Sequence, residues 1–326
     1  MKALLCKAYG PPESLSLEDV EPETIGRSTV RIQVRACGVN FPDVLIIKGQ
    51  YQFKPPLPFA PGAEVSGDVI EVGSDVTRFR LGDRVIGMPG WNGFAEQVVV
   101  DEQRCLPLPP SMDYETGAAI GMTYGTGYHG LVQRGHLREG EWLLVHGAAG
   151  GVGTAAVDIG KALGARVIAA AGSDDKLRVV AEQYGLDHLV NYQSPGWKDD
   201  VKRITGSGAD VIYDAVGGDV FEQSLRCINW EGRLLVIGFA SGAIPAAKAN
   251  LILLKGCSVV GVFWGAFAAR EPELNRQNFE KLFEWHARGK LKPFISHRFP
   301  LERGAEALRA IIDRKVIGKA VVTVGG

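Results

Sequence analysis

The chain has 326 residues, 46% apolar and 22% charged, a globular composition long enough for two ordinary domains. Its 36 basic and 37 acidic residues leave a formal charge of -1, which excludes a global basic field and argues against nucleic acid or an anionic membrane as partner. Five widely spaced cysteines without a Cys-x-x-Cys pair exclude a disulfide framework, and no apolar stretch reaches the roughly 20 residues of a membrane span, so a cytoplasmic protein is expected.

In chain order, residues 30–35 alternate apolar and polar side chains and predict a half-buried strand. Valine-rich runs at 65–72, 84–87 and 97–100, separated by Gly, Pro and Asp, continue a β-rich region over the first 110 residues. From about 140 the rhythm changes. Apolar runs at 142–145, 166–170, 188–191, 210–213, 233–237 and 258–263 alternate with helical stretches such as 154–163 and 174–184. That alternation predicts a parallel sheet covered on both faces, and six strands fit a doubly wound dinucleotide fold. Residues 277–288 present Phe279, Leu282, Phe283 and His286 on one helical face, 304–313 form a second helix, and 320–324 a final strand. This tail has too little apolar material for its own core and is expected to pack back on the N-terminal domain.

The strongest local signal lies at 142–153, where an apolar strand runs through His146 into Gly147-Ala148-Ala149-Gly150-Gly151-Val152-Gly153 and then a helix. Small residues let the chain turn tightly, let a pyrophosphate approach the backbone and let the helix pack close to the strand. The N–H groups opening the helix then face the anion, aided by the helix dipole. Ala149, Gly150, Gly151, Val152 and Gly153 are therefore candidate dinucleotide contacts. The next strand ends in Ala171, where an NAD site usually carries Asp or Glu for the ribose hydroxyls. The Ser173 hydroxyl and Lys176 ammonium suit a 2′-phosphate instead, so NADPH is expected over NADH. Asp174 sits three residues late and is read as the opening of a helix.

At this point the whole chain resembles the zinc-free quinone oxidoreductase branch of the medium-chain dehydrogenase/reductase superfamily. The residues that carry the resemblance are Gly38-Val39-Asn40-Phe41-Pro42-Asp43, Pro61-Gly62-Ala63-Glu64-Val65-Ser66-Gly67, Gly121-Met122-Thr123-Tyr124-Gly125-Thr126-Gly127-Tyr128, the glycine loop, and Asp214-Ala215-Val216-Gly217-Gly218. The resemblance implies an α/β plus β protein. A GroES-like β-barrel catalytic domain would comprise 1–122 and 265–326, a Rossmann NADPH-binding domain 123–264, with the active cleft between them. It adds Tyr192 as a 2′-phosphate contact, Thr126, Val216, Phe239, Ser241 and Phe263 around the nicotinamide and its ribose, and Lys319 as a polar group near the cofactor. It also implies a homodimer joined through the edge strand at 258–263.

Alcohol-oxidising relatives hold zinc with cysteine and histidine at positions that here carry Asn40 and Ala63, and a catalytic zinc needs three protein ligands. The cysteine-rich lobe of those relatives is missing too, as 88–98 passes straight through. A metal-free enzyme is expected. Quinones and α,β-unsaturated carbonyls accept hydride directly, with hydrogen bonds steadying the resulting anion. Asn40 and Tyr51 are the candidates for that work. Tyr51 either donates a proton or forms a wall of the substrate site. Asp43 reads as a helix-start cap. The expected activity is NADPH-dependent reduction of a small-molecule acceptor, a quinone or enone. Reduction of a 2-enoyl thioester such as acyl-CoA, or an NADPH-binding role with little turnover, are the alternatives.

Overall fold

The computed structural model describes residues 1–325 and divides into two compact units, Met1–Met122 with the chain from Ile295 onward, and Thr123–Phe294. The first opens with an antiparallel pair, β1 (Lys2–Leu5) and β2 (Ser16–Asp19). Its frame is the long β3 (Thr29–Val39). Val30, Ile32 and Val34 point inward and are fully buried, while Arg31 and Gln33 are half-buried and Arg35 is exposed, the period-two pattern legible in the sequence. From Ala36 onward β3 is buried on both faces. A short helix, α1 (Phe41–Ile47), follows, then β4 (Glu64–Val72), β5 (Arg84–Gly87), β6 (Gln97–Asp101) and β7 (Cys105–Pro107). Helix α2 (Tyr114–Tyr128) carries the chain into the second unit.

That unit repeats strand and helix: β8 (Trp142–His146), α3 (Gly151–Ala162), β9 (Arg166–Ala171), α4 (Asp174–Tyr184), β10 (His188–Asn191), α5 (Trp197–Thr205), β11 (Ala209–Asp214), α6 (Gly218–Cys227), β12 (Ile228–Val236), α7 (Ala249–Lys255) and β13 (Ser258–Gly261). The six strands are all parallel in the order β10-β9-β8-β11-β12-β13, the doubly wound arrangement with its switch point between β8 and β11. Helices cover both faces, so β8, β9 and β11 are buried almost throughout and read as continuous apolar runs rather than alternating ones. Two further helices, α8 (Trp264–Arg270) and α9 (Pro272–Ala287), close the unit.

The chain then returns with β14 (Ile295–Pro300), α10 (Gly304–Ile312) and β15 (Lys319–Thr323). Strand β15 pairs antiparallel with residues 36–39 of β3 and parallel with β14, in a sheet ordered β14-β15-β3-β4-β5-β7, with β6 also on β3. Leu308 and Ala307 of α10 complete the core beneath it.

Two expectations shift. The segment 265–294, expected with the first unit, groups with the second. Its contacts are the reason: Trp264 donates its indole N–H to Asn275 at 2.9 Å and packs on Phe279, and the Lys292 N–H binds Asp158 of α3 at 2.7 Å. Helix α9 also begins at Pro272 rather than 277, because proline suits a first helical position and Glu273 favours a first turn. Its buried stripe is Asn278, Phe279, Leu282 and Trp285, so Trp285 takes the inward place expected for His286.

Candidate active site

The glycine loop sits where the fold needs it. Gly147 leaves β8 at φ +66°, and a Cβ on Gly153 would lie 2.0 Å from the Gly147 carbonyl oxygen, so only glycine lets α3 start this close to the strand. Gly150 is exposed and precedes α3 with no side chain capping its N–H groups, and the helix has no acidic residue in its first turn. Those N–H groups and the dipole behind them form a cradle that fits a pyrophosphate.

Several of the other expected contacts follow the carboxyl ends of strands in this sheet. Ser173, just past β9, is the N-cap of α4, its Oγ accepting from the Lys176 N–H. Asp174 opens the helix as expected and accepts from the Asn191 amide at 3.0 Å. Just past β10, the Tyr192 ring lies 3.2 Å from where a Gly172 Cβ would be, so Ser173, Lys176 and Tyr192 gather at neighbouring strand ends. Past β11, the Val216 N–H binds Asp214 at 2.8 Å and its side chain packs on Gly147. The loop after β12 folds onto this turn: the Ser241 N–H binds the Val216 carbonyl at 2.9 Å, and Phe239 lies against Gly217. Phe263 follows β13, over half exposed. Thr126 lies half-buried on α2, one residue before Gly127, which packs on Ile159 of α3. Carboxyl ends of parallel strands at a switch point are where doubly wound sheets bind ligands.

Behind the loop, His146 is wholly buried. Ser224 Oγ donates to the Val220 carbonyl at 2.7 Å, so the 2.8 Å contact to His146 needs the imidazole Nε2 as donor. Among the described residues its Nδ1 has no partner, and burial pushes the ring's pKa down to about 3. His146 is neutral and structural, a bracing ring with Trp197 edge-on at 5.2 Å.

In the first unit, Asn40 and Tyr51 stand at opposite ends of α1. Asn40 precedes the helix, and Asp43 accepts its N–H at 2.7 Å and the Gly62 N–H at 3.1 Å, the cap expected of it. Burial pushes the Asp43 carboxyl up to about 7. Tyr51 follows the turn at Gly49, half-buried against the core with its ring edge-on to Phe53 at 6.0 Å. Burial first, and then the nearby Asp43, raise the pKa of its phenol.

Lys319 opens β15 of the first unit. It is 3% exposed in the first unit, and its ammonium donates to Glu64 Oε1 at 2.6 Å, Asn40 Oδ1 at 2.8 Å and the Val39 carbonyl at 3.2 Å. Its three N–H groups meet three acceptors. Sequence reasoning missed this pair because 255 residues separate its members.

Residues 26–110 match the alcohol dehydrogenase GroES-like domain family and residues 151–287 the zinc-binding dehydrogenase family. A quinone oxidoreductase-like protein 2 homolog of Nematostella vectensis is 44% identical over 98% of this chain and 88% of that protein. A quinone oxidoreductase of Pseudomonas aeruginosa is 36% identical over 98% and 99%. Among solved structures, Escherichia coli quinone oxidoreductase complexed with NADPH superposes with a TM-score of 0.92 at 28% identity, covering 99% of this chain and all of that one. CurK enoyl reductase superposes at 0.87 with 27% identity, over 99% and 98%.

The zinc in the second family's description does not fit the donors here. Glu64 Oε1 is already paired with an ammonium, Asn40 offers an amide committed at both ends, and Ala63 offers nothing.

Proposed function

The chain belongs to the quinone oxidoreductase branch of the medium-chain dehydrogenase/reductase superfamily, and from that premise we propose that it is an NADPH-dependent reductase passing hydride, without a metal, to a quinone or α,β-unsaturated carbonyl. The observation that carries this is the array at the carboxyl ends of β8, β9 and β10. It combines an anion cradle at Gly150–Gly153, a hydroxyl, an ammonium and a phenol at Ser173, Lys176 and Tyr192, and no acidic residue at Ala171 ending β9. Such an array favours the 2′-phosphate of NADPH over the bare ribose of NADH.

Bound NADPH supplies the hydride. The protein's part is to orient and to handle one proton. The backbone N–H groups of Gly151, Val152 and Gly153 would hold the pyrophosphate, with Ala149 and Gly150 shaping the turn beneath it, the Gly150 N–H itself being bound to the Gly147 carbonyl at 2.9 Å. Thr126, Val216, Phe239, Ser241 and Phe263 form the walls for the nicotinamide and its ribose. The Asn40 amide donates to the acceptor oxygen as negative charge develops there, and the Tyr51 phenol delivers the proton that completes a hydroquinone or a saturated carbonyl. Lys319 acts through Asn40 and Glu64 rather than on the cofactor. Two chains pair along the edge strand β13, with Leu253 and Leu254 of the neighbouring α7 exposed beside it.

The likeness to an enoyl reductase favours a second substrate class, 2-enoyl thioesters. NADPH consumption measured with 1,4-benzoquinone, an alkenal and crotonyl-CoA separates the readings. Turnover with the first two supports the proposal. Turnover with crotonyl-CoA alone replaces it by the thioester reading, and none with any acceptor leaves an NADPH-binding protein. Elemental analysis finding stoichiometric zinc in active protein would overturn the metal-free step. Light scattering that gives a monomer at micromolar concentration would overturn the dimer.

A further inference from the structure

Glu64 is fully buried, and its two oxygens have three partners: Lys319 Nζ and Asn40 Nδ2 on Oε1 at 2.6 and 2.8 Å, and the Met122 N–H on Oε2 at 2.7 Å. Glycines shape the space around it. A Cβ on Gly38 would fall 2.5 Å from Oε1, and one on Gly121 2.8 Å from Oε2. A buried ion pair adds little net stability compared with apolar residues of the same volume. Its distinctive product here is the orientation of a neutral neighbour. An ammonium can only donate and a carboxylate can only accept, so an amide held between them has one permitted direction: Oδ1 toward Lys319, Nδ2 toward Glu64. Among the described residues the second Nδ2 hydrogen has only the Gly38 carbonyl, at 3.4 Å, outside the usual range for such a bond.

We propose that Lys319 and Glu64 are positioning residues that lock the Asn40 carboxamide, so that its second Nδ2 hydrogen is held ready for the oxygen of the substrate carbonyl. The inference rests on the role given to Asn40 above and adds how that role is enforced. A preorganised donor helps catalysis because it need not reorient as charge develops. An unlocked asparagine presents its oxygen to the anion as readily as its N–H.

The test compares Asn40→Ala, the pair Lys319→Met with Glu64→Gln, and the triple variant. Lys319→Met alone strands a buried carboxylate and is expected to melt below the pair. In the pair, the amide introduced by Glu64→Gln still accepts the Met122 N–H through its oxygen and turns its NH₂ toward Asn40, which inverts the asparagine. Assayed with NADPH and 1,4-benzoquinone, the pair is expected to lose about 10²-fold in kcat, comparable with Asn40→Ala, while KM for NADPH stays within about twofold. The triple variant should lose no more than either, because the effects share one interaction. Turnover of the pair close to that of the parent overturns the proposal. So do losses that multiply in the triple variant, or a raised KM for NADPH at unchanged kcat, which would make Lys319 a cofactor contact. A parent chain that consumes no NADPH would remove the functional reading and leave the lock to be judged by ¹⁵N relaxation. The Asn40 side-chain amide should be as ordered as rigid backbone, with an order parameter of about 0.85, and a value below about 0.6 overturns the lock.

Discussion

Alanine at Gly150 and alanine at Gly153 differ by one methyl group each and should fail in opposite ways. At Gly153 the new Cβ would meet the Gly147 oxygen at 2.0 Å, the Gly147 carbonyl carbon at 2.7 Å and the Ala148 Cα at 2.8 Å, all backbone atoms. Ordinary contact begins near 3.4 Å, so the start of α3 must move off the turn by about 1.4 Å, the difference between 3.4 and 2.0. Overpacking of this kind costs about 1–3 kcal/mol, at the upper end where backbone rather than a side chain must yield. At Gly150, with φ −87° and ψ 170°, a Cβ would find its nearest neighbour at 3.4 Å, and alanine adopts that backbone without strain. Gly150→Ala should therefore unfold within about 0.5 kcal/mol of the parent. Its methyl group stands where a pyrophosphate would approach the N–H groups. Losing one charge-assisted hydrogen bond of about 1.5–3 kcal/mol weakens NADPH binding roughly 10- to 100-fold. Urea denaturation and fluorescence titration with NADPH, run on both variants, check the pair. Gly150→Ala with parental NADPH affinity would refute the cradle. Gly153→Ala with parental stability would refute the packing argument beneath it.

Lys176→Ala should cut the preference for NADPH over NADH by about 10- to 100-fold, and an unchanged ratio of kcat/KM removes Lys176 from the 2′-phosphate site. Tyr51→Phe should lower turnover by about 10²–10³ with every acceptor if the phenol delivers the proton, and near-normal rates would leave the ring as a wall. His146 is held neutral when folded, with its pKa depressed to about 3 from an ordinary 6.5. The unfolded chain then binds the extra proton between those values, so the stability His146 contributes is complete above pH 6.5 and is lost as pH falls toward 3. At pH 5 the loss is about 2 kcal/mol, read as the change in stability from pH 7 to 5 in the parent minus that in His146→Leu. Equal changes in the two proteins would contradict the burial of a neutral ring.

The α/β unit is readable because its strands are buried on both sides. β8 and β9 become continuous apolar runs, and the turns between them carry the glycines that their geometry requires. Ser173 is legible as a hydroxyl just past β9, although not as the cap of α4. The return point at Ile295 is hidden because 265–294 looks compositionally like any surface helix pair, and contacts such as those of Trp264, Asn278 and Lys292 assign it. Lys319 is singled out by the family resemblance alone, because sequence shows its type and not its neighbour. Glu64, alone in its stretch, offers no hint that an ammonium from the last strand meets it.

Strand β15 supplies the Lys319 ammonium and the antiparallel partner of residues 36–39. On the ribosome, the first 122 residues are therefore made with a carboxylate destined for the interior and no counter-charge, and remain so while Thr123–Phe294 is synthesised. The inserted unit holds all six strands of its own sheet and can fold as it emerges. The flanking one must wait for β15. Nascent chains arrested before 319 should thus carry a protease-resistant middle and a digestible beginning.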